Sequence, residues 1–327
     1  MHAQRLAAQL LAGPPAADPV AVCERLLAVQ AQDPRGARLA VRVRTRGLGA
    51  SDVDRALTED RSLIVTWLNR GTLHLVRSED YPWLQALTTP QLAAGNARRL
   101  EQEGVTPAAA ENGVKLIVKA IGADGPQTRA QIKARLDRAG VRTEGQALVH
   151  ILFLASLRGL IVRGPVAGVD QAFVLVREWL GAPRPVDRDA ALAELARRFL
   201  AGHGPADERD LAKWAGITLR DARAGLAAVA PAPDRTGAPE LPPPLLLGAF
   251  DPLLHGWADR TPVVGERAGI VTSNGIFRPI ALVAGRAAAT WGLPGGRVEL
   301  APFARLPKAV AAALAAEAAD VERFLAA

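Results

Sequence analysis

Ala28-Val29-Gln30-Ala31-Gln32-Asp33-Pro34-Arg35-Gly36-Ala37 is the stretch from which the rest of this chain can be read. A largely apolar segment, residues 22–29, leads into two glutamines in alternation, and Asp33-Pro34 then turns the chain. If residues 30–32 are extended, both amides project to the same side of the backbone. Proline pushes the residue before it out of the α region, so Asp33 cannot continue a helix. The pattern places two neutral donor–acceptor groups at the mouth of a turn, with arginines following at once. Amides set in an apolar wall bind or orient something polar. In the competing reading, one amide caps a helix end and the other faces water.

Working outward, the chain of 327 residues is too long for one small core, and two or three domains are expected. It is 49% hydrophobic and 22% charged, ordinary for a globular protein. No apolar run reaches membrane-span length and the N-terminus lacks a signal-peptide pattern, so a cytoplasmic location and no membrane partner are expected. Cys23 stands alone, which rules out an internal disulfide and a cysteine-cluster metal site. The five histidines include no close pair, so neither a metal nor another cofactor is expected. The net charge is +7, and only five of the 40 basic residues are lysines. Part of that bias, with the abundance of alanine, reads as a GC-rich genome. The excess still favours an anionic partner, nucleic acid first.

Residues 2–11 and 19–29 read as helices, and 36–46 as a third ended by Gly47-Leu48-Gly49. Ser51 and Asp54 form an N-terminal capping pattern for a helix to about Leu57. Segments 62–68 and 72–76 are strand-like around Asn69-Arg70-Gly71, a good hairpin turn. Helices followed by a hairpin is the order of a winged helix. The order returns with helices at 111–121, 128–136 (capped by Thr128) and 144–157, then strands at 160–162 and 173–176. A third set of helices follows at 190–200, 207–214 and 219–229. These copies share topology rather than sequence. Residues 231–244 read as a proline-rich linker. Strands are then expected at 245–250, 268–272, 276–283, 286–291 and 296–300, with a closing helix at 309–325. The fold class is therefore α+β, mainly helical: three tandem winged helices around a concave channel with a C-terminal β-rich unit. The expected segments are 1–90, 91–185, 186–240 with the linker, and 241–327.

The chain has no phosphate-binding glycine loop, Gly-x-Ser-x-Gly elbow or His-Glu-x-x-His, which sets aside the commonest enzyme classes. No lysine has a neighbouring base that suggests a Schiff-base mechanism. Arg35, Arg38, Arg42 and Arg46 are spaced by three and four, a stripe on one helical face beginning beside the glutamines. The stripe is either a solvated face or a phosphate-tracking ridge that positions DNA. Arg70 at a hairpin tip and Arg163 at the second expected wing carry the same two readings. The six tryptophans read as core rather than as base-stacking platforms. For His255, between Asp251-Pro252 and Asp259-Arg260, a core histidine or a local ion pair is the default.

Gln30-Ala31-Gln32-Asp33-Pro34-Arg35, the hairpin Trp67-Leu68-Asn69-Arg70-Gly71-Thr72-Leu73-His74-Leu75-Val76, and Phe250-Asp251-Pro252-Leu253-Leu254-His255-Gly256-Trp257-Ala258-Asp259-Arg260 together resemble the tandem winged-helix DNA glycosylases, whose branches are the AlkZ (azinomycin-resistance) and YcaQ types. The segments stand in the family's order, and Asn274-Gly275-Ile276-Phe277-Arg278-Pro279 follows them. The resemblance implies that the family's Gln–apolar–Gln motif falls on Gln30, Ala31 and Gln32, with alanine a small residue for the middle position. It also implies excision of N7-alkylated purines, crosslinks by bifunctional natural products included. The family's DNA-inserting hairpin has no evident counterpart. The partner implied is alkylated or crosslinked duplex DNA, bound by a monomer associated with the nucleoid. The alternative is a non-catalytic winged-helix DNA-binding or regulatory protein. Against it, residues 148–154 are too apolar for a helix that reads a major groove.

Overall fold

The computed structural model describes residues 1–168, 170–182, 185–230, 239–266, 269–272 and 274–327. In chain order it begins with α1 (His2–Ala8), α2 (Pro19–Leu26), the two-residue extended β1 (Val29–Gln30), α3 (Pro34–Arg42) and α4 (Ala50–Thr58). The first hairpin, β2 (Leu63–Leu68) and β3 (Thr72–Arg77), leads to α5 (Tyr81–Thr88), α6 (Ala93–Gln102), α7 (Pro107–Asp124), α8 (Arg129–Arg138) and α9 (Ala147–Leu157). A second hairpin, β4 (Ile161–Ala167) and β5 (Asp170–Leu175), is followed by α10 (Val176–Trp179), α11 (Arg188–His203), α12 (Glu208–Ala215) and α13 (Leu219–Ala227). The last part holds β6 (Leu245–Leu247), α14 (Thr261–Val264), β7 (Ile280–Val283), β8 (Arg286–Gly292), β9 (Glu299–Pro302) and α15 (Lys308–Ala326). The protein is α+β with two antiparallel sheets.

Two compact units divide the chain: unit 1 is Met1–Val53 with Leu192–Ala327, and unit 2 is Asp54–Ala191. Unit 2 holds both hairpins, and they share one sheet. Within unit 2 its strands run β3-β2-β4-β5. Antiparallel pairing of Val65 with Arg163 joins β2 to β4. The first hairpin forms where its turn chemistry placed it. Asn69 adopts a φ of +53° and Gly71 one of +83°, conformations that asparagine and glycine tolerate best. Thr128 and Gln131 close a capping box at the start of α8, so that helix begins where its capping residue predicts. In α4 the capping pair falls two residues before the expected Ser51 and Asp54: the Gly49 amide, just ahead of the helix, donates to Asp52 at 2.8 Å. As expected of so apolar a helix, α9 buries Leu148, Ile151, Leu152 and Ala155.

In unit 1 the second sheet runs β6-β7-β8-β9. Its core joins Leu245, Leu247, Ile280 and Leu282 of the sheet to Leu6 of α1, Val43 and Trp257. Ala284 and Gly285, with φ of +48° and +75°, make the tight turn between β7 and β8. Residues 231–238 of the expected linker and residue 268 lie outside the described residues. No strand forms at 269–272; only an isolated bridge ties Val271 to Phe277. The final strand begins at Glu299, later than the expected 296. Four of the six tryptophans, Trp67, Trp214, Trp257 and Trp291, are buried in core positions. Among the described residues, no helix is long and apolar enough to cross a membrane.

Candidate active site and nucleic-acid interface

The glutamine motif is delivered by an abrupt end to α2. Asp18 caps that helix, accepting from the Ala21 amide at 2.7 Å. At its other end, Leu27 takes φ +65° and ψ −46° while the Ala28 amide bonds back to the Leu26 carbonyl at 2.8 Å. That is a γ-turn with positive φ, a rare and strained conformation for a branched side chain. Leu27 is wholly buried, so packing holds the strain in place. The turn redirects the chain into β1, which carries Gln30 inward at 6% exposure. The Gln30 carbonyl oxygen Oε1 is enclosed and has no hydrogen-bond partner among the described residues. Ala31 is buried and Gln32 is exposed, so the two amides sit in different surroundings. Asp33 then caps α3 by accepting from the Arg35 amide at 2.9 Å, with Pro34 in the first helical turn. The helix-capping role belongs to the aspartate and not to either glutamine.

Unit 1 anchors α3 by close backbone approach and buried charge. A Cβ at Gly36 would run into the Ala249 carbonyl oxygen, and one at Gly248 would lie 2.8 Å from the Leu39 Cβ. The helix therefore rests directly on the backbone after β6. Just past α3, Arg44 is fully buried and pairs with Asp251, Nη1 to Oδ2 and Nη2 to Oδ1, both at 2.9 Å. Its Nε donates to the Gln9 carbonyl at 2.8 Å. Asp251 also accepts from the Leu253 amide at 2.9 Å, so the pair is bidentate and further hydrogen-bonded. Asp251 does form an ion pair, but a long-range one.

The expected arginine stripe divides on this scaffold. Arg42 turns inward, away from solvent. It is buried at 4% exposure, with Nη2 2.7 Å from Glu317, Nη1 3.0 Å from Asp320, and Nη2 also on the Leu246 carbonyl at 3.0 Å. Three-and-four spacing puts arginines on one face but does not say whether that face meets water or another element. Arg35 and Arg46 are exposed and Arg38 is half-buried. Arg38 donates to the Pro34 carbonyl at 3.0 Å and Arg46 to the Thr45 carbonyl at 3.1 Å.

In unit 2, Arg70 is half-buried at the hairpin tip. Arg163 is not a free wing-tip cation. Its guanidinium carbon lies 5.2 Å from the Trp67 ring and 5.1 Å from the Phe173 ring, and its Nε is enclosed without a partner among the described residues. Burial, aided by Arg129, pushes this guanidinium down to about 10. The hairpin also buries polar groups that sequence reading missed. Thr66, Asn69 and His74 are 1%, 0% and 2% exposed. Thr66 Oγ1, both amide atoms of the Asn69 side chain, and Thr72 Oγ1 are enclosed and unpartnered among the described residues. The signal was present as Thr66, Thr72 and His74 at even spacing within an otherwise apolar hairpin. Burial, then Arg70, lowers His74 to about 3, so the ring is neutral.

Among the described residues, no group of three or more His, Cys, Asp or Glu is placed to hold a metal. The model of the AlkZ-like DNA glycosylases matches residues 23–324, and the chain belongs to that family. It is 28% identical over 349 aligned residues to an interstrand DNA cross-link repair glycosylase of Streptomyces sahachiroi, covering 92% of this chain and 89% of that protein. The solved structure of Streptomyces sahachiroi DNA glycosylase AlkZ superposes with a TM-score of 0.75 at 24% identity, covering 99% of this chain and 95% of the other, and shows the shared fold.

Proposed function

We propose that this protein is a monofunctional DNA glycosylase that excises cationic N7-alkylated purines from duplex DNA, natural-product adducts and interstrand crosslinks among them. The observation that carries the reading is the unpartnered Gln30 oxygen, buried beside a strained turn in a chain of the AlkZ-like family. The crosslink substrate is suggested by the name of the Streptomyces sahachiroi relative.

An N7-alkylated guanine already bears a positive charge, so its departure needs no general acid. The C1′–N9 bond breaks with its electron pair moving to the purine, which leaves neutral. A water oxygen bonds to C1′ and its proton passes to solvent. The protein's part is to place that water and to face the electron-poor sugar with dipoles. Gln30 presents a carbonyl oxygen already free of other hydrogen bonds, and Gln32 is the second amide of the motif. Amides are poor bases, so uncharged nucleotides are left alone. With no lysine nucleophile the product is an abasic site on an unbroken strand. Arg35, Arg38, Arg46 and Arg70 supply phosphate contacts, while Arg42 and Arg163 are occupied by neighbours inside the protein.

In this reading, residues 1–90 and 91–185 are winged-helix modules, 186–240 holds a third with the proline-rich linker, 241–327 is the C-terminal β-rich unit with its closing helix, and the protein acts as a monomer on the nucleoid. The burial of α9 speaks against a regulator that reads a major groove with that helix. A duplex carrying one 7-methylguanine, incubated with the protein and then with alkali, tests the proposal. Strand cleavage appearing only after alkali is expected. No cleavage after alkali would leave a DNA-binding protein, and cleavage without alkali would overturn the monofunctional mechanism.

A further inference from the structure

Within unit 1, the loop that follows α3 and the C-terminal half of α15 border a polar cleft of about 280 Å3, whose charged lining is Arg42, Arg46, Glu317, Asp320 and Arg323. Three guanidiniums thus share two carboxylates, and both carboxylates are engaged. Asp320 meets Arg42 Nη1 through Oδ2 at 3.0 Å, and Nε and Nη2 of Arg323 through Oδ1 at 2.9 and 2.7 Å. Glu317 Oε2 accepts from Arg42 Nη2 at 2.7 Å and from the Leu246 amide at 3.0 Å. Buried Arg42 therefore binds both acids, and Asp320 in turn holds Arg323. The Leu48 carbonyl is spent as well, on Arg323 Nη1 at 3.0 Å. What remains in the lining is mainly donors. A guanidinium carries five N–H groups. Exposed Arg46 commits one of them, to the Thr45 carbonyl at 3.1 Å, and meets no carboxylate among the described residues; half-exposed Arg323 commits three. Between the two arginines, the backbone amides of Arg46, Gly47 and Leu48 donate to nothing among the described residues, and Gly47 takes φ +74°. Successive free amides around a left-handed residue form a concavity that suits an anion.

We propose that this cleft seats a phosphate group, with the guanidiniums of Arg46 and Arg323 and the amides of residues 46–48 as its donors. Uncommitted donors with an excess of positive charge fit a ligand that only accepts, and a guanidinium fork matches phosphate oxygens two at a time. A neutral ligand would leave the excess charge unanswered, and a cation would be repelled. The volume is about nine times the ~30 Å3 share of one liquid water, so a phosphate enters with part of its hydration shell. That group is a phosphate of the DNA backbone or a free phosphate. The first source rests on the reading that the protein binds duplex DNA, and it adds Arg323, from the far end of the chain, to the arginines that hold the duplex. The chemistry of the cleft rests on neither source.

The test compares Arg46→Ala, Arg323→Ala and Arg323→Lys with the wild type in two measurements. One is the salt dependence of Kd for an undamaged duplex; the other is Tm in inorganic phosphate against chloride of equal ionic strength. A backbone phosphate in the cleft is expected to lower the salt slope by about one unit in each alanine variant and to leave it near wild type in Arg323→Lys. A free phosphate leaves the slopes alone, raises the wild-type Tm saturably, and both alanine variants lose that rise. Slopes and phosphate response equal to wild type in both alanine variants overturn the site. So does an effect confined to one of the two arginines, which reduces it to a lone surface contact. Arg46 makes only a local bond, so Arg46→Ala should keep the wild-type Tm in chloride. Should Arg323→Ala not fold, Arg323→Gln, which keeps a long stem and a donor, takes its place. A protein that releases no 7-methylguanine defeats the proposed function without touching either measurement, and one that binds no duplex leaves the phosphate titration to decide.

Discussion

Behind α3, in unit 1, all three guanidinium nitrogens of Arg44 have partners, and both oxygens of Asp251 are met as well. Along β2 and β3, in unit 2, the hydroxyls of Thr66 and Thr72 and the side-chain amide of Asn69 are just as enclosed and meet nothing among the described residues. Both regions bury polarity in an apolar setting, but only the first recovers its forfeited hydration through the protein's own groups. A satisfied network holds elements in place and cannot be trimmed without cost to the fold, whereas trimming an unpaired polar group to an apolar one of the same shape should cost the fold little or nothing. Gln30 lies in unit 1 but behaves like the hairpin, with an enclosed oxygen left open.

Removing one half of the buried pair should have the largest effect. Arg44→Ala or Asp251→Ala leaves an uncompensated charge where both side chains are 0% exposed, and should cost about 3–5 kcal/mol in urea unfolding. Arg42→Ala should also destabilise unit 1. A cost of less than about 1 kcal/mol at Arg44 would remove the scaffold half of the contrast.

Acid should have the next largest effect, because each unit buries a neutral histidine. His203 in unit 1, stacked 4.6 Å from Phe199, is held at about 3 chiefly by burial, as is His74 in unit 2. The unfolded chain takes up protons at both histidines below about 6.5, and the folded protein does so only near 3. The unfolded state therefore binds more protons across that window, and stability falls as pH drops from 6.5 towards 3. Urea midpoints between about pH 7 and about pH 4.5, above most carboxylate titration, should decline in the wild type and decline less in His74→Asn. An equal slope in both proteins would mean that His74 is not held neutral.

The smallest effect concerns the exposed arginines. Arg35→Ala, Arg38→Ala and Arg46→Ala should each weaken duplex binding whatever the sequence, lowering the salt slope by about one unit for each phosphate no longer engaged. Unchanged slopes for all three would make them a solvated face.

Features built from local chemistry were legible in the sequence. Asn69-Arg70-Gly71 set the first hairpin, Thr128 started α8, Asp33-Pro34 ended the extended segment, and α15 followed its amphipathic pattern. What escaped depends on partners far along the chain. The spacing of Arg35, Arg38, Arg42 and Arg46 pointed to one stripe, but Glu317 and Asp320 on α15 decide that Arg42 turns inward. Asp251 looked like half of a local pair until Arg44 closed on it from across the sequence. The β2–β4 pairing that joins the hairpins leaves no mark in either strand's own pattern. The glutamines were legible as a motif, but the γ-turn at Leu27 that aims Gln30 inward was not, since nothing about leucine announces a positive φ.

Single-turnover release of 7-methylguanine by Gln30→Ala measures whether the open oxygen of Gln30 acts at the bond-breaking step. The rate should fall on the order of 10²-fold or more, as when one oriented group is removed from a water-poor site, with Tm and affinity for undamaged duplex unchanged. Gln32→Ala should behave likewise, and Gln32→Asp, which sets a negative charge beside the developing sugar cation, should remain active. Wild-type release rates in Gln30→Ala and Gln32→Ala, at unchanged Tm, would leave two structural glutamines in a DNA-binding protein.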